Sequence, residues 1–186
     1  MGWSVVNALP QKSGTDDLHR YVIIGAPHTS NWDFIFAVGA FDLMGLSLKF
    51  TIKKEWMVFP FARLMRSMGA IPIDRTPKPG QARASMVTAM ADLLIDAKED
   101  LLIGVTPEAT RSRRDKWKLG FYHVAKQANV PILFGFIDYE KKQCGIKEVF
   151  YPTDDIDADL RKIMDFYKTT KPKYPELFSV NQEHSD

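Results

Sequence analysis

The sequence has few of the residues from which disulfides and metal sites are built. Cys144 is the only cysteine among 186 residues, which excludes an internal disulfide and any zinc site made of several cysteines. The four histidines, His19, His28, His123 and His184, are not spaced as metal ligands, so we expect no bound metal. Few cysteines and no recognisable signal peptide at the start of the sequence favour a cytoplasmic location.

Long apolar runs and a strong net charge are also absent. No stretch reaches the roughly 18 apolar residues that a membrane-spanning helix needs. We therefore expect at most a peripheral contact with a membrane, at its inner face. The formal net charge of +2 is too small to indicate a nucleic-acid partner. Hydrophobic residues make up 45% of the chain, which favours a packed core over disorder.

The pattern of apolar segments predicts strands that alternate with helices. Strands are predicted at 21–26, 48–52, 70–73, 101–105 and 131–137, with a late edge strand at 145–150. Helices are predicted at 33–44, 81–97, 120–128 and 156–167, and a loop at 76–80. This alternation predicts an α/β sandwich with a largely parallel central sheet flanked by helices. No linker divides the chain, so we expect a single domain over 1–186 with an irregular tail over 169–186.

Polar residues follow the first predicted strand and suggest an acid–base pair. His28 comes directly after Pro27, and Ser30 or Asn31 can cap the next helix. Asp33 would then lie in the first helical turn, facing back toward His28. A carboxylate in that position holds the imidazole in one tautomer and stabilises the imidazolium. The alternative is a packed loop histidine beside an ordinary acidic residue at a helix start.

Two further segments place basic residues beside strand ends. Arg75 follows the strand at 70–73 and can bind phosphate through two hydrogen bonds, or can simply pair with Asp74 at the surface. Glu108 and Arg111 follow the strand at 101–105, and five basic residues lie between positions 111 and 118. This basic run suits a phosphate group or an anionic membrane surface, or it is a solvated loop.

These segments together resemble the glycerolipid acyltransferase family, typified by 1-acylglycerol-3-phosphate acyltransferases. The H-x4-D motif of the family is similar to His28-Thr29-Ser30-Asn31-Trp32-Asp33, and its glycine-containing strand that ends in Arg is similar to 69–75. Its Pro-Glu-Gly-Thr-Arg signature resembles Pro107-Glu108-Ala109-Thr110-Arg111. Lys118-Leu119-Gly120-Phe121 and Val130-Pro131-Ile132 fit two further family patterns. The resemblance covers about residues 20–137.

The resemblance implies transfer of a fatty acyl group from a thioester, on coenzyme A or acyl carrier protein, to a hydroxyl of a lysophosphatidate-like glycerolipid. It implies that His28 is the general base and Asp33 its orienting partner. It further implies that the phosphate of the acceptor is held by Arg75, Glu108, Thr110 and Arg111. No bound cofactor is expected, because the thioester is a co-substrate.

The sequence leaves open the backbone conformation at Ala109 and the role of residues 56–66. Ala109 stands where the family usually has glycine, which matters if the backbone there has a positive φ. Residues 56–66 are apolar and aromatic with interleaved basic residues. They suit an acyl-chain groove or a membrane interface, or form an ordinary core helix.

Three other functions remain open from the sequence. A thioester or ester hydrolase could use the same His28–Asp33 pair to activate water. A non-catalytic module could bind anionic lipid through residues 111–118. A metal-dependent enzyme could use His28, Asp33 and Glu108. We favour the acyltransferase because each of the other functions accounts for only part of the pattern.

Overall fold

A computed structural model describes residues 2–10, 19–54, 60–73, 85–180 and 184–185. Its strands are β1 (Ser4–Asn7), β2 (Arg20–Gly25), β3 (Leu48–Lys53), β4 (Ala70–Ile73), β5 (Leu101–Val105), β6 (Trp117–Lys118), β7 (Ile132–Asp138), β8 (Gln143–Phe150) and β9 (His184–Ser185). Its helices are α1 (Asn31–Leu43), α2 (Phe61–Ser67), α3 (Met86–Ile95), α4 (Gly120–Ala128) and α5 (Ile156–Lys168).

The core of the molecule is a seven-stranded sheet in the order β1-β8-β7-β2-β5-β3-β4. Neighbouring strands are parallel except for β7 and β8, which are antiparallel. After β2 the chain passes through α1 to β3, which lies on one side of β2 in the strand order. After β5 it passes through α4 to β7, which lies on the other side of β2. Ligands of open α/β sheets bind at such a switch point, beyond the carboxyl ends of the strands.

Helices cover both faces of the sheet because the central strands alternate their side chains between two apolar layers. Val22 and Ile24 of β2 pack in the larger cluster with residues of α3, α4 and α5. Tyr21 and Ile23 face the other way and pack with Phe41 of α1. The residues of β7 are buried throughout, as expected for a strand covered on both faces.

The predicted fold class, an α/β sandwich with a largely parallel sheet, is confirmed. The prediction of an edge strand at 145–150 was partly wrong: β8 begins at Gln143, and β1 pairs outside it. The sequence did not indicate β1, because four residues are too short for a periodic signal. The predicted helix at 81–97 is observed from Met86 to Ile95, while 81–84 and the predicted loop at 76–80 lie outside the described residues.

The segment after α5 returns to the carboxyl edge of the sheet. Its carbonyl at Lys171 accepts the N–H of Tyr139 at 2.9 Å, and the N–H of Tyr174 donates to Thr29 Oγ1 at 3.3 Å. A short 3-10 turn (Pro175–Leu177) follows, and β9 pairs with β6. Within the part of the chain that the structure describes, no helix combines the length and apolar character needed to cross a membrane.

Candidate active site

Three chain segments meet at the carboxyl edge of the sheet, beyond the ends of β2, β5 and β7. The first carries His28, the second carries Glu108 and Arg111, and the third begins with Tyr139. These strands are neighbours in the order β7-β2-β5, so residues far apart along the chain lie side by side. This arrangement forms the candidate site.

His28 and Asp33 form a pair across the junction between β2 and α1. Ser30 is the N-cap of α1: its Oγ accepts the N–H of Trp32 at 3.2 Å, and Asp33 reaches back to the start of the helix in a capping box. Asp33 Oδ2 accepts the N–H groups of Thr29 and Ser30, both at 2.8 Å, and lies 3.5 Å from His28 Nδ1. That distance is long for a hydrogen bond, which is common in sites without substrate. The pairing predicted from the sequence is therefore present in the geometry.

The other carboxylate oxygen of Asp33 has a partner of its own. Tyr139 donates its hydroxyl hydrogen to Asp33 Oδ1 at 2.7 Å. Burial opposes the charge of Asp33, but hydrogen bonds from His28, Tyr139 and the two backbone N–H groups outweigh it and lower the pKa of this carboxyl. Asp33 is therefore ionised at neutral pH, as an orienting partner for an imidazole must be.

Glu108 is hydrogen-bonded to the backbone of His28 in the loop between β2 and α1. Its side chain accepts the N–H of His28 at 3.0 Å through Oε2 and at 3.3 Å through Oε1. Glu108 is only 6% exposed. Burial, with a smaller contribution from the charge of Asp33, raises the pKa of Glu108 to about 7, although the hydrogen bond from His28 opposes the shift. Near neutral pH this carboxyl is therefore divided between its neutral and charged forms.

A largely apolar cavity of about 610 Å³ opens beside the His28–Asp33 pair. Its floor is formed by the sheet and its wall by α1, which contributes Phe34, Ala37 and Phe41. Polar groups are confined to a few residues, among them His28, Asp33, Thr106 and Arg111. A largely apolar cavity with a few polar lining groups suits a molecule that has an apolar tail and a polar reacting group.

Comparison with known proteins identifies the family. A sequence model of the family described as Acyltransferase matches residues 9–133. The chain belongs to the acyltransferase family. The resemblance predicted from the motifs is thus confirmed, and so is the predicted enzyme class, an acyltransferase.

A solved structure supports the fold of this acyltransferase. The crystal structure of the 1-acyl-sn-glycerophosphate (LPA) acyltransferase PlsC from Thermotoga maritima is similar to it with a TM-score of 0.53 and 17% sequence identity. The similarity covers 90% of this chain and 69% of that chain. At this level of identity the likeness shows the shared fold. No curated protein sequence matches the chain.

The residues assigned to phosphate binding are only partly brought together. Arg111 lines the cavity, and Thr110 precedes it, with its Oγ1 accepting the N–H of Ser112 at 3.3 Å. Glu108 contacts the backbone of His28. Arg75 lies outside the described residues. The phosphate role of all four residues stays a prediction.

The structure also answers the question raised at Ala109. This residue has φ = +55°, the left-handed conformation that glycine adopts without a steric penalty. Gly69, in the glycine-containing motif, has φ = +95°, and a Cβ there would lie 2.3 Å from the carbonyl oxygen of Leu48. Glycine is therefore required at position 69, whereas position 109 holds an alanine in a strained backbone conformation.

Sequence reasoning missed Tyr139. No motif marks this residue, and its partner Asp33 is 106 positions away along the chain. It could have been suspected only from its place directly after β7, a strand that ends at the same edge as His28. The apolar segment at 56–66 is only partly described: 56–59 lie outside the described residues, and Met65 of α2 lines the cavity. Among the described residues, no three His, Cys, Asp or Glu side chains cluster closely enough to hold a metal ion.

Proposed function

We propose that the protein transfers a fatty acyl group from a thioester, on coenzyme A or acyl carrier protein, to a hydroxyl of a lysophosphatidate-like acceptor. The observation that carries the proposal is the His28–Asp33 pair, which lines the largely apolar cavity. The family supports acyl transfer in general. The similar PlsC structure is that of a 1-acyl-sn-glycerophosphate acyltransferase, which supports a glycerolipid phosphate as the acceptor. No bound cofactor takes part in this proposal.

In the proposed reaction His28 acts as a general base. Because Nδ1 faces Asp33, Nε2 is the ring nitrogen that takes the proton from the acceptor hydroxyl. The alkoxide oxygen attacks the thioester carbonyl, and the tetrahedral intermediate expels the thiolate. The imidazolium, stabilised by ionised Asp33, then gives its proton to the leaving thiolate, so the proton balance closes.

The cavity is the proposed binding place of the acyl chain. Its wall on α1 presents Phe34, Ala37 and Phe41, and α2 and α3 contribute Met65 and Met90. Methionine side chains are flexible and adapt to apolar ligands of irregular shape. An acyl chain placed here would have its thioester carbonyl near His28, which lines the same cavity.

Arg111 is proposed as the main phosphate contact, because it lines the same cavity as His28. A guanidinium can donate two parallel hydrogen bonds to a phosphate. Thr110 and Arg75 are proposed to assist it. Glu108 would contribute by fixing the backbone of His28 and the loop that carries Arg111, since its carboxyl group connects the two segments.

We further propose that the start of α1 and the neighbouring segment around Lys173 rest on an anionic membrane surface. Trp32 and Ile35, on the first turns of α1, are 53% and 57% exposed. Lys173 Nζ lies 5.5 Å from the ring centres of both Trp32 and Tyr174. Exposed tryptophan and tyrosine with an adjacent lysine are typical of side chains at a lipid interface. A cytoplasmic location at the inner face of a membrane remains part of this proposal.

Vesicle binding tests the membrane surface with a matched pair of isoleucines. Ile35 lies near the carboxyl edge of the sheet, whereas Ile95, 47% exposed, ends α3 at the opposite edge, where its carbonyl accepts from Arg20. We expect Ile35→Ser to weaken sedimentation with phosphatidylglycerol vesicles several-fold and Ile95→Ser to leave it unchanged. Equal binding by the two variants would contradict the proposed surface.

The activity itself is tested by thiol release from palmitoyl-CoA with and without lysophosphatidate. Release that depends on the acceptor, together with formation of phosphatidate, supports the proposal. Release that ignores the acceptor would point instead to a thioester hydrolase. Palmitoyl-acyl carrier protein should be tested in parallel, because the donor carrier is not fixed by the sequence.

A further inference from the structure

Tyr139 occupies a fixed position between three parts of the fold. Its ring packs edge-on against Trp3, with ring centres 5.2 Å apart, and against Phe36 of α1, with ring centres 5.8 Å apart. Its backbone N–H donates to the carbonyl of Lys171 at 2.9 Å. Because these contacts come from the N-terminal strand region, from α1 and from the C-terminal segment, the phenol ring is held in one orientation.

The hydrogen bonds of Asp33 are divided between its two carboxylate oxygens. Oδ2 accepts the two backbone N–H groups of Thr29 and Ser30 and faces His28. Oδ1 accepts the hydroxyl of Tyr139 at 2.7 Å. With donors on both oxygens, the carboxylate plane cannot rotate freely, so Oδ2 stays directed at the imidazole.

We propose that Tyr139 is a positioning residue of the active site, which holds the Asp33 carboxylate in the orientation that aligns His28 for proton transfer. Tyr139 does not touch the reacting atoms in this account; it acts through Asp33. Its importance for turnover rests on the proposed role of His28, whereas its effect on Asp33 does not.

Loss of the phenol hydroxyl should alter the ionisation of Asp33. A carboxylate that loses a donor is less stable as an anion, so its pKa rises. The other ionisable groups near this pair are His28 and Glu108, which face Asp33, and Tyr174 and Cys144, which face Tyr139. None of these groups is removed by a Tyr139→Phe substitution, which keeps the ring and its packing.

The chain offers a matched control in Tyr122. Its hydroxyl also lies 2.9 Å from a buried carboxylate oxygen, Asp159 Oδ2, and shares its hydrogen between this oxygen and the carbonyl of Thr153, also at 2.9 Å. Asp159 lies on α5, where it also accepts the N–H of Thr153. Tyr122→Phe and Tyr139→Phe therefore remove the same kind of hydrogen bond, one outside the site and one inside it. Melting temperatures should fall in both variants.

Two measurements on the full chain test the proposal. Carboxyl carbon NMR, with the Asp33 signal assigned through Asp33→Asn, should show a higher Asp33 pKa in Tyr139→Phe and no change in Tyr122→Phe. For thiol release from palmitoyl-CoA with lysophosphatidate, kcat should fall about 10-fold in Tyr139→Phe with little change in the acceptor KM.

The outcomes separate this inference from the proposed function. An unchanged Asp33 titration in Tyr139→Phe, or a kcat equal to that of Tyr122→Phe, would overturn the positioning role. If wild-type protein released no thiol while the Asp33 pKa still rose in Tyr139→Phe, the acyl-transfer proposal would fail and the control of Asp33 by Tyr139 would stand.

Discussion

The backbone N–H of His28 donates a hydrogen bond to the buried carboxyl group of Glu108, 3.0 Å from Oε2. This contact joins the loop after β2, which carries His28, to the loop after β5, which carries the cavity-lining Arg111. Burial is the main reason that the pKa of Glu108 rises to about 7. The junction between the two loops is therefore sensitive to pH in the neutral range.

Glu108→Gln should change how stability depends on pH. The pKa of Glu108 is raised in the folded protein, from 4.5 to about 7, so its contribution to stability is fully present below pH 4.5 and is lost as the pH rises through 7. This difference corresponds to roughly 3 kcal/mol. Glutamine keeps an oxygen acceptor for the N–H of His28 and cannot ionise. We expect urea unfolding to show that the variant gains stability relative to wild type between pH 5 and pH 8.

The control for loss of a surface charge is Glu99→Gln, because Glu99 is exposed. For each variant, the free energy of unfolding is compared with that of wild type at pH 5 and at pH 8. We expect this difference to change with pH in Glu108→Gln and to stay constant in Glu99→Gln. The same behaviour in both variants would contradict the account of Glu108.

Ala109→Gly should stabilise the protein. Alanine in the left-handed conformation costs about 1–2 kcal/mol, and the greater freedom of glycine in the unfolded chain offsets part of the gain. A net gain of about 0.5–1 kcal/mol should raise the melting temperature by about 1–4 °C. The same substitution at Ala89, inside α3, should lower it. A decrease in both variants would contradict the strain at Ala109.

Ala37→Leu should shorten the preferred acyl chain. Ala37 lies on α1 and lines the cavity, so a larger side chain there takes up space that a long acyl chain would need. We expect kcat/KM to fall about 10-fold or more for palmitoyl-CoA and little for octanoyl-CoA. Ala158→Leu, on α5 and away from the cavity, should leave the ratio of the two donors unchanged. An unchanged ratio in Ala37→Leu would contradict the assignment of the cavity to the acyl chain.

Arg111→Ala should weaken binding of the acceptor. Loss of a guanidinium that binds phosphate should raise the KM for lysophosphatidate roughly 10- to 100-fold, with a smaller effect on the KM for the thioester donor. Arg113 is the control for a change of basic charge. It lies on the surface, where its Nε is 3.9 Å from Asp115 Oδ1. If Arg113→Ala raised the acceptor KM as much as Arg111→Ala, general attraction by the basic loop would replace a specific contact.

The His28–Asp33 pair could be predicted because its geometry is local. Five positions separate the two residues across one strand–helix junction, and Ser30 supplies a recognisable cap that fixes where α1 begins. The parallel sheet could be predicted for a similar reason, since apolar strands alternate with amphipathic segments along the chain.

Features that depend on distant contacts could not be predicted. β1 has only four residues and is recognised as a strand by its pairing with β8. Tyr139 reaches Asp33 only because β7 lies beside β2 in the sheet. The role of Glu108 differs from the expectation in the same way: the motif suggested a phosphate contact, and the fold adds a hydrogen bond to His28, 80 positions earlier.

The central claim is that His28, oriented by Asp33, activates the acceptor hydroxyl. The most direct test is acceptor-dependent thiol release from palmitoyl-CoA by wild type, His28→Ala and Asp33→Asn, with His123→Ala as the control because His123 is exposed on α4. We predict that kcat falls roughly 10²–10⁴-fold in His28→Ala and strongly in Asp33→Asn, with the fold intact by circular dichroism and with no change in His123→Ala. Turnover at the wild-type rate by folded His28→Ala protein would contradict the account.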